Sequence, residues 1–457
     1  MRITRRNKRN ALKKQKTYKR KILKSKRSTK RQMKKMMRGG AILRGNNVLL
    51  IIDPQIDFVD DSTYNPALPV PKSKNDMEKI AKFITDNINT IDEIHVSLDS
   101  HTKTHIAHSD FWINTYNKPL QFCTLFVKDN DTKIYIKDTN GTELGMINPQ
   151  NPLLNELAYK YIKAMNDLIK KTDDENIIIS NDNTTNGTNN PLKPNKPPPL
   201  IWPTHCLKTE NQNWNVHPIL HDVLKQENIY KKVTYHEKGT NDLVEMYSIF
   251  SAEVPFEEII KDLDENLIKD IKRHPNSNFE KYPWYNVEKA PDGIKMKSPN
   301  ETQTPQNPIN NYCTTFNDEL FKKLMINEKN GKKNKVFVCG EAKTHCVKTS
   351  LEDMVQHCDN NNYLASNIYL LDDMASSIKG QPPNENMFID NLNNSLLDLK
   401  QKGMNVINSE DYINATLGNY ISKTINTVKQ RINNYDFSKL FSKAYGTINS
   451  NLSNNNI

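Results

Sequence analysis

A chain of 457 residues can bury a large core, and its length alone allows two or three domains. A hydrophobic content of only 36%, with few glycines and abundant Asn, Lys and Ile, instead favours one packed domain carrying long polar insertions. The formal charge of +11 is not a property of the whole surface: residues 1–40 hold 19 of the 64 Lys and Arg and no acid, so the other 45 basic residues face 53 acidic ones, a net −8.

Residues 1–40 carry charge at almost every second position with no apolar face, which predicts a disordered tail suited to nucleic acid or another polyanion, or to an address signal. No apolar run is long enough to span a membrane and no secretory h-region precedes the first strand, so neither membrane insertion nor secretion is expected. Six cysteines, at 123, 206, 313, 339, 346 and 358, lack metal or disulfide spacing and predict reduced thiols. The expected location is intracellular, in cytoplasm or nucleus, or in a virion if the source is viral.

The run 48–52 reads as a strand buried on both faces, ending at Asp53. A loop over 59–72 leads to a helix at 75–88, and a second strand at 94–98 ends at Asp99. A first insertion, about 122–200, contains hairpin strands near 133–138, a helix-like stretch at 153–171 and a polar linker from 173 to 199. A short strand at 233–235 precedes Lys238, and a second insertion runs over about 257–311. Residues 316–326 then lead into a strand that stops at Gly340, followed by Cys346 at the start of an apolar-periodic helix. Strands at 368–371 and 405–407 enclose a helix at 388–402 with Gly403 as its stop. This alternation predicts a three-layer α/β/α fold around a central parallel sheet. The domain expectation is a tail at 1–40, one catalytic domain at 41–416, and a partly helical, Asn-rich extension at 417–457.

Chemistry concentrates at strand ends. A thiol at a helix N-terminus is favoured toward thiolate, so Cys346 is a candidate nucleophile. Asp53 is a candidate proton acceptor at the edge where open α/β sheets place catalysis, and Lys238 is a candidate source of positive charge. Asp99, His101 and His105 follow a strand with D-x-H-x-x-x-H spacing, a set that suits Zn²⁺, Fe²⁺ or Mn²⁺.

Four stretches, Leu50-Ile51-Ile52-Asp53-Pro54-Gln55-Ile56-Asp57-Phe58, Asp99 to His105 with Trp202-Pro203-Thr204-His205, His236-Glu237-Lys238-Gly239, and Gly340 to Val347, together resemble the nicotinamidase branch of the isochorismatase-like cysteine hydrolases. The resemblance implies a metal-dependent nicotinamidase of NAD salvage, with Asp53, Lys238 and Cys346 catalytic and the backbone N–H groups of Ala342 and Cys346 forming the oxyanion hole. It implies Phe58 and Trp202 as pocket walls, His205 as the fourth metal ligand beside Asp99, His101 and His105, and a cis peptide between residues 341 and 342. His108 competes as a ligand at an unmatched position. Glutamate at 341, where the family usually has an apolar residue, is a departure. The alternatives are a hydrolase of the same fold acting on another small amide, and a nucleic-acid-associated protein with a vestigial hydrolase domain. Dimer contacts, and so a homo-oligomer, are compatible with so elaborated a sheet.

Overall fold

The computed structural model describes residues 45–178, 198–208, 212–261, 263–264, 266, 309–310, 314–361, 363–380 and 385–416. The chain divides into two compact units, 1–406 and 407–457; in the second, residues 407–416 are described and include a 3-10 turn, Ser409–Asp411.

Strand β1 (Asn47–Ile52) is buried at all six positions, so the sheet is covered on both faces there. Helix α1 (Ser73–Asn87) presents Met77, Ile80, Ala81 and Ile84 inward at helical spacing, and β2 (Glu93–Asp99) follows. The first insertion supplies a separate antiparallel sheet of β3 (Thr124–Val127), β4 (Ile134–Lys137) and β5 (Glu143–Ile147), then α2 (Asn155–Ile178). After α3 (Pro218–Leu224) come β6 (Val233–Lys238), the short α4 (Phe256–Ile260) and β7 (Ile309–Asn310). Helix α5 (Asp318–Met325) enters a small hairpin, β8 (Ile326–Asn327) and β9 (Lys332–Lys333). The last elements are β10 (Lys335–Gly340), α6 (Lys348–Asn360), β11 (Ile368–Leu371), α7 (Met387–Gln401) and β12 (Asn405–Ile407).

The main sheet has the order β12-β11-β10-β1-β2-β6-β7, and the pairings β11–β10, β10–β1, β1–β2, β2–β6 and β6–β7 are all parallel. The fold is the expected α/β/α one, with α1 beside α3 and α6 beside α7 as helical neighbours. Strand order reverses at β1: later strands add through β2 on one side and through β10 on the other. The crevice beyond the carboxyl ends of β1 and β10 is therefore the topological switch point, the ligand position of open α/β sheets.

The first insertion is packed rather than merely polar. Leu125, Ile134, Ile136 and Ile147 from its sheet, Leu157, Tyr161 and Ile162 from α2, and Val244 and Met246 beyond β6 share one apolar cluster. The linker expected from 173 begins later, because α2 runs on to Ile178 with no Gly or Pro to stop it. Residues 1–40, most of the second insertion and the 417–457 extension lie outside the described residues.

Candidate active site

Four strand ends converge. Asp53 follows β1 in a left-handed conformation (φ 43°), with its N–H donating to Ser97 Oγ at 2.9 Å and its Oδ1 accepting from the same hydroxyl at 2.5 Å. Gln55 ties the β1 end to the β2 end: its Nε2 donates to the Asp99 carbonyl at 2.8 Å, and its Oε1 accepts from the Asp99 N–H at 2.7 Å. Asp99 and Lys238 are register partners across β2 and β6. Their side chains accordingly project to the same side, and Lys238 Nζ sits 3.0 Å from Asp99 Oδ1.

Lys238 Nζ also lies 3.0 Å from Asp53 Oδ2 and 3.7 Å from Cys346 Sγ, and donates to the Met246 carbonyl at 3.1 Å. Lys238 and Asp53 are wholly buried and Cys346 is 6% exposed. Gly239, at φ 67°, is required next to Lys238: a Cβ there would stand 2.6 Å from Asp99 Oδ1 and 2.8 Å from His101 Cε1. Gly340 ends β10 for a similar reason, since a Cβ would come within 2.1 Å of the Ile52 carbonyl oxygen. The peptide from Glu341 to Ala342 is cis. Cys346 then falls in a single π-helical turn, Lys343–Val347, that runs into α6.

Burial sets the protonation of this group. It pushes the Cys346 thiol well above its ordinary value, Lys238 opposes the rise, and Asp53 and Asp99 add to it. Burial and the two carboxylates thus favour the thiol and work against the thiolate expected from a helix N-terminus. Burial also raises Asp53, against the pull of Lys238. Lys238 stays charged because Asp53 and Asp99 overcome the cost of its burial.

A narrow cleft, partly open to solvent, lies over the sulfur. Phe58, Trp202, Asp99, His205, Ala342 and Cys346 all line it, so the structure brings the expected pocket walls, oxyanion-loop residue, thiol and two of the expected ligands to one space. Glu245, Tyr247 and His345 line it too, with Leu68 and Ile378, and none of the five was given a role from the sequence. Trp202 Nε1 donates to Tyr247 Oη at 2.9 Å, and the Trp202 ring meets His345 edge to face at 5.1 Å.

Asp99 Oδ2 is 2.9 Å from His101 Nε2 and 3.5 Å from His205 Nε2, and the rings of His105 and His108, buried as well, stand against that of His101. Ligand atoms of His101, His108 and His205 lie within 4.8 Å of one another. In each of these rings Nδ1 is held by a backbone carbonyl, that of Gly239, Thr102 and Pro203 respectively, at 2.9, 3.2 and 2.7 Å. Each Nδ1 donates to a carbonyl and Nε2 is the nitrogen turned inward, the arrangement that orients metal-bound imidazoles. His108 Nε2 is buried with no hydrogen-bond partner among the described residues. His105 differs: its Nδ1 accepts from the Ala107 N–H and its Nε2 donates to the Val244 carbonyl, each at 3.2 Å. It belongs to a second set, His101, His105 and Glu245. Lys238 serves both buried carboxylates, and Asp99 also draws on His101, which it raises against the cost of burial. An orphaned Nε2, carbonyl-oriented rings and a buried carboxylate beside them fit a divalent cation.

No family model matches this chain, and no curated protein matches it. Among solved structures the chain is similar to the nicotinamidase/pyrazinamidase of Acinetobacter baumanii, at 14% identity over 80% of this chain and 98% of that one, with a TM-score of 0.38. It is similar to the yeast nicotinamidase bound to the inhibitor nicotinaldehyde (14% identity, 79% and 99% covered, TM-score 0.36). A third likeness is to the pyrazinamidase of Pyrococcus horikoshii in complex with zinc (14%, 79% and 99%, TM-score 0.32).

Proposed function

We propose that the chain is a metal-dependent cysteine amidohydrolase that converts nicotinamide to nicotinate and ammonia, a reaction of NAD salvage. One observation carries the reading: Lys238 Nζ holds Asp53, Asp99 and the Cys346 sulfur together at the floor of a cleft walled by Phe58 and Trp202. The four sequence motifs that resemble nicotinamidases contribute all six of these residues.

In this reading Asp53 takes the thiol proton as the sulfur attacks the carboxamide carbon. The N–H groups of Ala342 and Cys346 stabilise the oxyanion. The C–N bond breaks as Asp53 returns its proton to nitrogen, ammonia leaves, and a thioester remains on Cys346. Water then loses a proton to Asp53 and attacks the thioester; the C–S bond breaks, the sulfur recovers the proton, and nicotinate departs. Lys238 keeps two buried carboxylates tolerable throughout. Phe58 and Trp202 both line the cleft, and such aromatic walls favour a planar aromatic amide over a flexible aliphatic one.

Zn²⁺, with Fe²⁺ or Mn²⁺ as alternatives, would be held by Asp99, His101 and His205 with His108, rather than His105, as the further imidazole. When bound, such an ion supplies Lewis acidity and an open position for a ring nitrogen. The chain's own residues orient it: Gly239, Thr102 and Pro203 hold the three rings by their carbonyls.

Mass spectrometry of the chain quenched during turnover of nicotinamide tests this route. A nicotinoyl adduct on the Cys346 peptide is expected; turnover with no adduct, or an adduct on another residue, contradicts it.

A further inference from the structure

Glu341 occupies a position where an apolar residue would ordinarily fill the core, yet it is wholly buried, and Asp76 of α1, 4% exposed, faces it. Each carboxyl group lies close enough to the other to bear on its ionisation. Ser376 joins them from a third segment: its N–H donates to Glu341 Oε2 at 3.3 Å and its side chain bonds Asp76. The Ser376 carbonyl in turn accepts from the Lys343 N–H at 2.7 Å, and Ile378 N–H donates to Thr344 Oγ1 at 3.2 Å. With both groups ionised, Asp76 Oδ2 and Glu341 Oε1 find no donor among the described residues. One proton between them supplies it.

We propose that Glu341 is a positioning residue: paired with Asp76 through a single shared proton and clamped by Ser376, it holds the segment from Ala342 to Cys346 that presents the thiol and the oxyanion donors. The proposal rests on the amide-hydrolase reading of the site and adds to it a part that no motif supplies.

Burial pushes Glu341 well above the usual carboxylate range and the neighbouring Asp76 pushes it further, so Glu341 carries the proton; burial raises Asp76 as well. The charged and titratable groups packed around the pair are Lys79 on α1, Cys339 on β10, Lys343 on the oxyanion loop, and Asp372 and Asp373 beyond β11. Lys79 and Lys343 spend their ammonium groups on the Asp373 and Asp372 carbonyls, each at 2.8 Å, so neither replaces the shared proton. Glu341 is raised above its unfolded value, so its stabilising contribution is complete at acid pH and is lost as pH rises through the folded value. The loop should therefore loosen on the alkaline side.

The test uses the full chain and three readouts across mildly acid to alkaline pH: kcat on nicotinamide, iodoacetamide labelling of the Cys346 peptide, and the thermal midpoint. Glu341→Gln keeps a donor to Asp76 that cannot ionise. It should retain kcat within about threefold and shift to higher pH the alkaline loss of kcat and thermal midpoint and the alkaline rise in labelling that loosening adds. Glu341→Leu leaves Asp76 buried without its donor and should lower kcat about tenfold with KM nearly unchanged. A Gln variant with the wild-type pH dependence in all three readouts, or a Leu variant with wild-type kcat and labelling, overturns the proposal. If the wild-type chain does not hydrolyse nicotinamide, the functional reading fails by itself. Labelling and thermal midpoint of wild type and Glu341→Gln then still decide the carboxyl pair.

Discussion

Lys238 is the residue on which the site depends, because it is the single ammonium between two buried carboxylates and a thiol. Replacing it by Ala should remove hydrolysis and also destabilise the chain by about 3–5 kcal/mol, since Asp53 and Asp99 would be left buried without a counter-charge. Urea denaturation measures that second effect, and an unchanged midpoint would show that the triad is not desolvated as described. Cys346→Ala should abolish turnover while leaving the fold intact, and Asp53→Asn should lower it by orders of magnitude, non-additively with Cys346→Ala. The histidines offer a finer prediction, read from metal content after dialysis. His101→Ala, His205→Ala and His108→Ala should each lose the ion, whereas His105→Ala should retain most of it, because its ring nitrogens are engaged by backbone groups. Retention in His108→Ala with loss in His105→Ala would move the site to the set that includes Glu245.

At the scale of elements, the chemistry follows from parallel strands that end together: Asp53, Asp99, Lys238 and Gly340 terminate β1, β2, β6 and β10. Those ends were legible because buried strands read as continuous apolar runs that stop at charged residues or glycine; the strands at 368–371 and 405–407 coincide with β11 and β12. Other features were not legible. The thiol's protonation depends on burial between carboxylates, which no local pattern records. The choice between His105 and His108 depends on which ring nitrogens meet carbonyls of Gly239, Thr102, Pro203 and Val244, residues far apart in sequence. Glu341 read only as an anomaly, because its partner Asp76 lies on a helix more than 250 residues earlier in the chain. β3 and β5 were too short and mixed in polarity to stand out beside β4. Their packing has a consequence: Ile136, wholly buried, shares a cluster with Val244 and Met246, and the Met246 carbonyl accepts from Lys238. Ile136→Ala should cost about 2–5 kcal/mol, and calorimetry should show one transition shifted downward. A separate low-temperature transition with the main one unmoved would show that the insertion folds apart from the site.

At the scale of the whole molecule, charge is segregated: 19 cations stand in residues 1–40, and the remainder is acidic. The first 40 residues should bind DNA or RNA by counterion release, with affinity falling steeply as salt rises, and a chain beginning at Ala41 should lose that binding without losing turnover. Electrophoretic mobility shifts at several salt concentrations check this, and equal binding by the two chains would remove the tail from the account. The central claim is that the strand ends assemble a nicotinamide-hydrolysing thiol. It is tested most directly by measuring ammonia released from nicotinamide by the purified metal-loaded chain beside its Cys346→Ala variant. Stoichiometric ammonia and nicotinate from the first and none from the second is the predicted result; no release by the wild-type chain, or equal release by both, would contradict it.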